Sequence, residues 1–277
     1  MKPYKTILLS LLILPLPLLL GSCEKEEEIE NTRWVLVWSD EFDTPTPDNR
    51  PDPSKWTYEK GASGYGNQEL QNYTDRVENA SYTTHKGLGC LKITALNDNY
   101  DGVAYSSARI KTEGLFEQRY GRFEARLKLP YGPGLWPAFW MLGANYATDV
   151  WPKCGEIDIM ENVGYDPDTI VGSSHTEKYN HAIGTQKNAK IACPDCYKAF
   201  HVYALEWEED EYRLYVDDQL YFTFKNEGIG YEVWPYDKRF HILLNLAIGG
   251  NWGGQKGIDD SLFPHVFEID YVRVYKK

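Results

Sequence analysis

An all-β protein, built as a sandwich of two antiparallel sheets or as a jelly roll, is the fold class this sequence predicts. Three observations carry it. Apolar and polar residues alternate with period two through several short segments. Gly and Pro separate these segments. Beyond Trp34 there is neither a convincing helix nor the strand-helix alternation of a parallel sheet. The chain of 277 residues suffices for one large β domain, read here as residues 33–277.

In chain order, Trp34 to Phe42 reads as a first strand placed to close the sandwich against the last, and Gly61 to Tyr73, rich in Gly, Asn and Gln, reads as loop. Between Arg122 and Leu129, Phe123, Ala125, Leu127 and Leu129 alternate with Arg122, Glu124, Arg126 and Lys128, the pattern of a half-buried strand that Pro130, Gly132 and Gly134 then end. Phe200 to Trp207, Tyr212 to Val216, Gln219 to Phe224, Arg239 to Ile248 and Val266 to Tyr275 read the same way. Asp217-Asp218 joins two of them as a tight hairpin.

The chain begins with Lys2 and Lys5, an apolar run from Ile7 to Leu20, and Leu20-Gly21-Ser22-Cys23. Such a run is short for a bilayer span and suits a signal peptide over residues 1–22. The residues before Cys23 resemble a bacterial lipobox, which implies lipidation of Cys23; ordinary signal cleavage is the alternative. Residues 23–32 form an acidic tether, Glu24 to Glu30, similar to the export signal of Bacteroidetes surface lipoproteins. The expected location is the outer membrane, at the cell surface or on its periplasmic face, with the lipid as the only membrane contact.

A net charge of −12 excludes a nucleic-acid partner, which needs clustered Lys and Arg, and leaves a neutral polymer open. Aromatic residues make up 14% of the chain, with 21 Tyr and 9 Trp, so some rings are expected to face a ligand. The Cys193-Pro-Asp-Cys196 pair lacks the second pair or histidine doublet of a zinc site. A loop disulfide or two free thiols is expected there, with no chemistry assigned.

The segment Gly155-Glu156-Ile157-Asp158-Ile159-Met160-Glu161 carries the chemistry. In a regular strand Glu156 and Asp158 share one face while Ile157 and Ile159 face the core, and Glu161 has the wrong parity. A β-bulge at Met160 would return it to the carboxylate face. Three adjacent acids repel one another unless some stay protonated or do work. Retaining glycoside cleavage uses two carboxyl groups roughly 5 to 5.5 Å apart, one ionised and one protonated. Exposed charges or a calcium cluster would give the same bare pattern.

This segment resembles the Glu-Ile-Asp-Ile-Met-Glu signature of glycoside hydrolase family 16, in its laminarinase and mixed-linkage β-glucanase branch. Seven further collinear segments match: Trp38 to Phe42, Asn67 to Thr74, Ala108 to Thr112, Tyr120 to Arg126, Leu135 to Met141, Asn245 to Gly250 and Asp270 to Tyr275. The resemblance implies a concanavalin-like jelly roll with a concave cleft. It makes Glu156 the nucleophile, Asp158 the assistant and Glu161 the acid/base, and needs no cofactor for catalysis. It also implies that Trp136, Trp140, Trp151 and Trp252 stack on sugar rings, with Asn67, Arg109 and His175 as polar contacts. A structural calcium is implied on the convex face, held by Glu41, Asp270 and the backbone oxygen of Gly87; ordinary surface carboxylates are the alternative. The Cys193 to Cys196 loop has no counterpart in the family pattern and would alter one rim of the cleft.

The reading is therefore a monomeric endo-acting β-glucan hydrolase. A surface lectin using the same groove, or a relative acting on a galactan or transferring xyloglucan, is the alternative. Retention of all three acids speaks against the lectin, and the Trp136 to Met141 segment favours glucan.

Overall fold

The computed structural model describes residues 34–277; the signal segment, Cys23 and the acidic tether lie outside the described residues. In chain order the described strands are β1 (Val35–Asp40), β2 (Thr57–Glu59), β3 (Gln71–Tyr73), β4 (Ala80–His85), β5 (Leu88–Tyr100), β6 (Val103–Ser107), β7 (Arg109–Lys111), β8 (Gly121–Lys128), β9 (Leu135–Gly143), β10 (Glu156–Val163), β11 (Asp166–His175), β12 (Lys187–Ala192), β13 (His201–Trp207), β14 (Glu211–Val216), β15 (Gln219–Lys225), β16 (Phe240–Ile248) and β17 (His265–Lys276). Three short 3-10 turns are the only helical elements among the described residues.

Two sheets result. One runs β15-β14-β13-β8-β17-β5-β6-β3, with β1 on β17 and β4 on β5; the other runs β12-β11-β10-β9-β16-β7-β2. The expected closure of the first strand on the last is present as an antiparallel pairing of β1 with β17. Asp217 and Asp218 both take left-handed φ, 46° and 66°, between the paired Val216 and Gln219. Their short polar side chains tolerate that conformation, which matches the twist of the flanking strands.

One expectation needs correcting. Gln71 to Tyr73, read as loop, is a buried strand that pairs in parallel with β6. Its fit depends on Gln71 Oε1 accepting the Ile248 N–H at 2.7 Å, a side-chain bond that local periodicity does not register. The rings divide between the core and the concave face of the second sheet, where Trp136, Trp140 and Trp151 lie. Trp56, Trp207, Tyr203, Tyr212 and Tyr236 are among the largest fully buried side chains, wedged between sheets whose inner faces also supply Phe123, Leu127, Phe139, Ile157 and Leu244.

Candidate active site

The second sheet lines a cleft of about 530 Å³, and β10 runs through it. Gly155 fixes where that strand begins. Its φ is +82°, and a Cβ would come within 2.6 Å of Pro235 Cγ, so only glycine lets the chain turn here against Pro235 and Phe240. The Tyr236 hydroxyl then holds the next residue by donating to the Glu156 carbonyl at 3.0 Å.

Along β10 the ladder with β9 pairs Asp158 with Trp140 and Met160 with Phe139, so Ile159 is the extra residue. The bulge is present, one position earlier than Met160. Against β11 the register also shifts between Asp158 and Glu161. Ile157, Ile159 and Met160 are all fully buried in the core, while Glu156, Asp158 and Glu161 line the cleft. The alternative, a straight strand, would expose Met160 and turn Glu161 inward. It would forgo about 2 kcal/mol of apolar burial and bury a carboxylate at a cost of several kcal/mol. Two consecutive apolar residues before the acid therefore select the bulge.

The bulge leaves Ile159 unpaired in both ladders, and its carbonyl accepts the Tyr221 hydroxyl at 2.8 Å. Tyr221 reaches it across Gly172, where any Cβ would collide with the phenol oxygen. Tyr221→Phe orphans a buried carbonyl, worth about 1–3 kcal/mol. We expect a fall in kcat of roughly tenfold or more with KM little changed, together with a lower Tm; unchanged steady-state kinetics would show that the bulge does not depend on this bond.

The three acids share one neighbour, His175, which sits opposite Glu156 on β11. Its Nε2 lies 3.2 Å from Asp158 Oδ2 and 3.7 Å from Glu156 Oε1. Trp136 Nε1 donates to Glu161 Oε1 at 3.0 Å. Burial pushes all three carboxyls up to about 8. The charge of Asp158 adds to this at Glu156 and Glu161, whereas His175 and Arg109 pull Glu156 back down. Glu156 is also the most exposed, its side chain at 16% against 5% for Asp158.

Trp136 and Trp140 share the cleft face of β9 as their parity predicts, with Ala138 between them, and Trp151 joins the lining. Trp252 packs edge-on against Trp136 at 5.3 Å between ring centroids. Arg109 lies over the Trp140 ring at 4.7 Å and pairs with Glu59 at 2.8 Å, while Asn67 lines the cleft and donates to Glu69 at 3.4 Å. His175 is placed differently from the expected sugar contact. It is buried, 6% exposed, below Trp151 and His181 and against the acids.

Several cleft residues carry no role in the sequence reading. Asn245 accepts from Trp140 Nε1 at 2.7 Å and donates to Tyr73, which in turn donates to Glu69. Burial raises the Glu69 carboxyl despite these donors. Glu69 and Asn245 both lie inside segments that resemble the family, the one signal that marked them. Tyr65 and His181 complete the walls, and no local pattern singles out either.

The calcium set does not assemble as read. Arg273 grips both oxygens of Glu41 at 2.7 to 3.2 Å and holds that carboxyl below its usual range. Arg126 donates to Asp270 at 2.5 Å. Carboxylates committed to guanidinium groups do not fit a calcium ion, which needs their lone pairs. Cys193 and Cys196 are free thiols buried in the core, and their loop contributes no cleft-lining residue, so it does not form the rim.

A sheet presenting a row of three carboxylates between tryptophans and amides defines a glycoside hydrolase that works through paired carboxyl groups. Residues 54–273 match the family of glycosyl hydrolases family 16, and the chain belongs to it. It is 49% identical over 251 residues to a β-glucanase of Rhodothermus marinus, covering 88% of this chain and 85% of that one. The X-ray structure of the laminarinase from Rhodothermus marinus matches with a TM-score of 0.83 at 48% identity, over 88% of this chain and 98% of the other. A mutant of a non-specific endo-β-1,3(4)-glucanase, co-crystallised with 1,3-β-D-cellotriosyl-glucose, matches with a TM-score of 0.81 at 42% identity, over 88% and 95% of the two chains.

Proposed function

We propose that this protein is an endo-β-glucanase that cleaves β-1,3- or mixed-linkage β-1,3/1,4-glucan with retention of configuration. Glu156 is the nucleophile, Glu161 the acid/base, and Asp158 the residue that orients and electrostatically couples them. The carrying observation is the bulge at Ile159, which puts Glu161 on the face of Glu156. The activities named for the Rhodothermus and co-crystallised relatives support the substrate class.

Glu156, with His175 and Arg109 favouring its charge, attacks the anomeric carbon while Glu161 hands its proton to the departing oxygen. The resulting glycosyl ester is then opened by water, which gives its proton to Glu161. These transfers need only carboxyl groups and water, so no cofactor enters them. Laminarin, barley β-glucan, lichenan, agarose and xyloglucan, with products resolved by chromatography, test the substrate. Oligosaccharides from the glucans, appearing first as β-anomers, are expected. Release from agarose alone, or α-anomers first, would overturn the reading.

Trp136 Nε1 donates to the charged form of Glu161 and so holds its proton less tightly. Trp136→Phe keeps a ring for the sugar and removes that donor. The alkaline limb of kcat/KM then moves to higher pH, while Trp136→Ala raises KM as well; an unmoved limb in the Phe variant would detach Trp136 from the acid.

We further infer anchoring through lipid on Cys23 and a monomeric catalytic domain. Labelled palmitate incorporated by the native chain and absent from Cys23→Ala tests the first, and light scattering the second.

A further inference from the structure

Away from the cleft, the loop after β12 meets the start of β13. There the Cys193 thiol, an Asp195 carboxylate oxygen and a His201 ring nitrogen lie within 4.8 Å of one another. That spacing suits one shared ion with bonds of about 2.0–2.3 Å. The sequence gives Cys193 no histidine partner nearby in a recognisable motif; the fold supplies one by starting β13 beside the loop.

Two further observations point to a ligand. His201 Nδ1 lies 2.5 Å from Asp217 Oδ2, and the other Asp217 oxygen accepts the Val202 N–H at 2.8 Å. A carboxylate fixed in this way keeps the imidazole proton on Nδ1 and presents Nε2 as a lone pair, the usual support for a metal-bound histidine. Nε2 itself is shielded from solvent and has no hydrogen-bond partner. Asp195 Oδ1 is 3.2 Å away but outside the direction in which an N–H would point. A shielded ring nitrogen left empty is costly, and an ion between these three groups would fill it.

We propose that Cys193, Asp195 and His201 bind one divalent cation of the zinc class. Cys193 releases its proton to solvent and binds as thiolate, Asp195 binds through a carboxylate oxygen and His201 through Nε2. The two negative charges balance the ion, and water from the exposed Asp195 side takes the fourth position. A thiolate and an imidazole select zinc over calcium or magnesium. The Cys196 thiol lies beside that of Cys193 and donates to the Pro167 carbonyl at 3.1 Å, so it is not counted among the ligands. Cys193 is tied to the neighbouring strand by its N–H to Asp168 O at 2.7 Å, whereas His201 opens a strand of the opposite sheet. The ion therefore staples the edge of the cleft sheet to the sheet behind it, and its role is structural.

Cobalt(II) added to the reduced, chelator-treated protein reports the site. The expected result is a thiolate-to-cobalt charge-transfer band that saturates at one equivalent and is displaced by zinc, with glucan hydrolysis unchanged. Zinc at a hundredfold excess over its Kd raises Tm by roughly 5 °C. Cys193→Ser loses the band. Asp195→Asn, at an exposed position that does not threaten folding, weakens cobalt binding at least about tenfold, as does His201→Gln. Absence of the band, or its survival in Cys193→Ser, overturns the proposal. So does a tryptic peptide of residues 191–198 short by two hydrogens in the protein as isolated, which would mean a Cys193–Cys196 disulfide occupies the thiols.

Discussion

Glu156→Ala lowers kcat on laminarin by about 10⁴-fold or more, the scale expected when a nucleophile is removed, and leaves the fold intact. The expectation of a surviving fold rests on how little the side chain does structurally. Among the described residues its carboxylate has no hydrogen-bond partner, and His175 Nε2 stands 3.7 Å away. Its position is set through the backbone, by Tyr236 and Gly155. Removing it takes away a desolvated charge beside Asp158 and Glu161, so Tm holds or rises. The vacated space admits a small anion on the face from which the carboxylate attacks. With an activated aryl β-glucoside donor, azide then restores turnover and yields the α-glycosyl azide. A β-azide would show that the residue removed was the acid/base, and undiminished laminarin hydrolysis would remove Glu156 from the chemistry altogether.

What made this site readable was chemistry written locally. Glu156 and Asp158 are two apart and so share a face, and Ile159-Met160 ahead of Glu161 encodes the bulge, although against β9 the extra residue is Ile159. The strand from Gly121 to Lys128 and the Asp217-Asp218 hairpin follow from alternation and turn chemistry in the same way. Roles for the acids came from the family resemblance, because parity alone does not separate nucleophile from acid. What stayed hidden depends on partners far along the chain. Tyr221 meets Ile159 across 62 positions, Tyr236 meets Glu156 across 80, and Asn245 meets Tyr73 across 172. Glu41 and Asp270 were misread for the same reason, since their arginines stand beside them only once β17 has paired with β8 and β1.

Glu161→Gln separates the acid's chemical role from its structural burden. The amide keeps an oxygen for Trp136 Nε1 but has no proton to give, so kcat on glucan falls by about 10²–10⁴-fold. A substrate with a dinitrophenyl leaving group, which departs without protonation, loses far less in its first step. In the native protein kcat/KM has an alkaline limb near pH 8, where the cluster loses the proton that Glu161 must deliver; in the variant that limb disappears. Stability moves the other way. Glu161 binds its proton more tightly in the folded chain, at about 8, than in the unfolded one, near 4.5. The native fold is thus progressively destabilised as pH rises from about 4.5 to about 8 and bears the full cost above that. Glutamine removes this burden, so the variant's gain in Tm is greatest above pH 8 and vanishes below pH 4.5. A gain that is flat with pH, or an alkaline limb that survives the substitution, would mean that residue 161 is not the group holding the proton in the bulged strand.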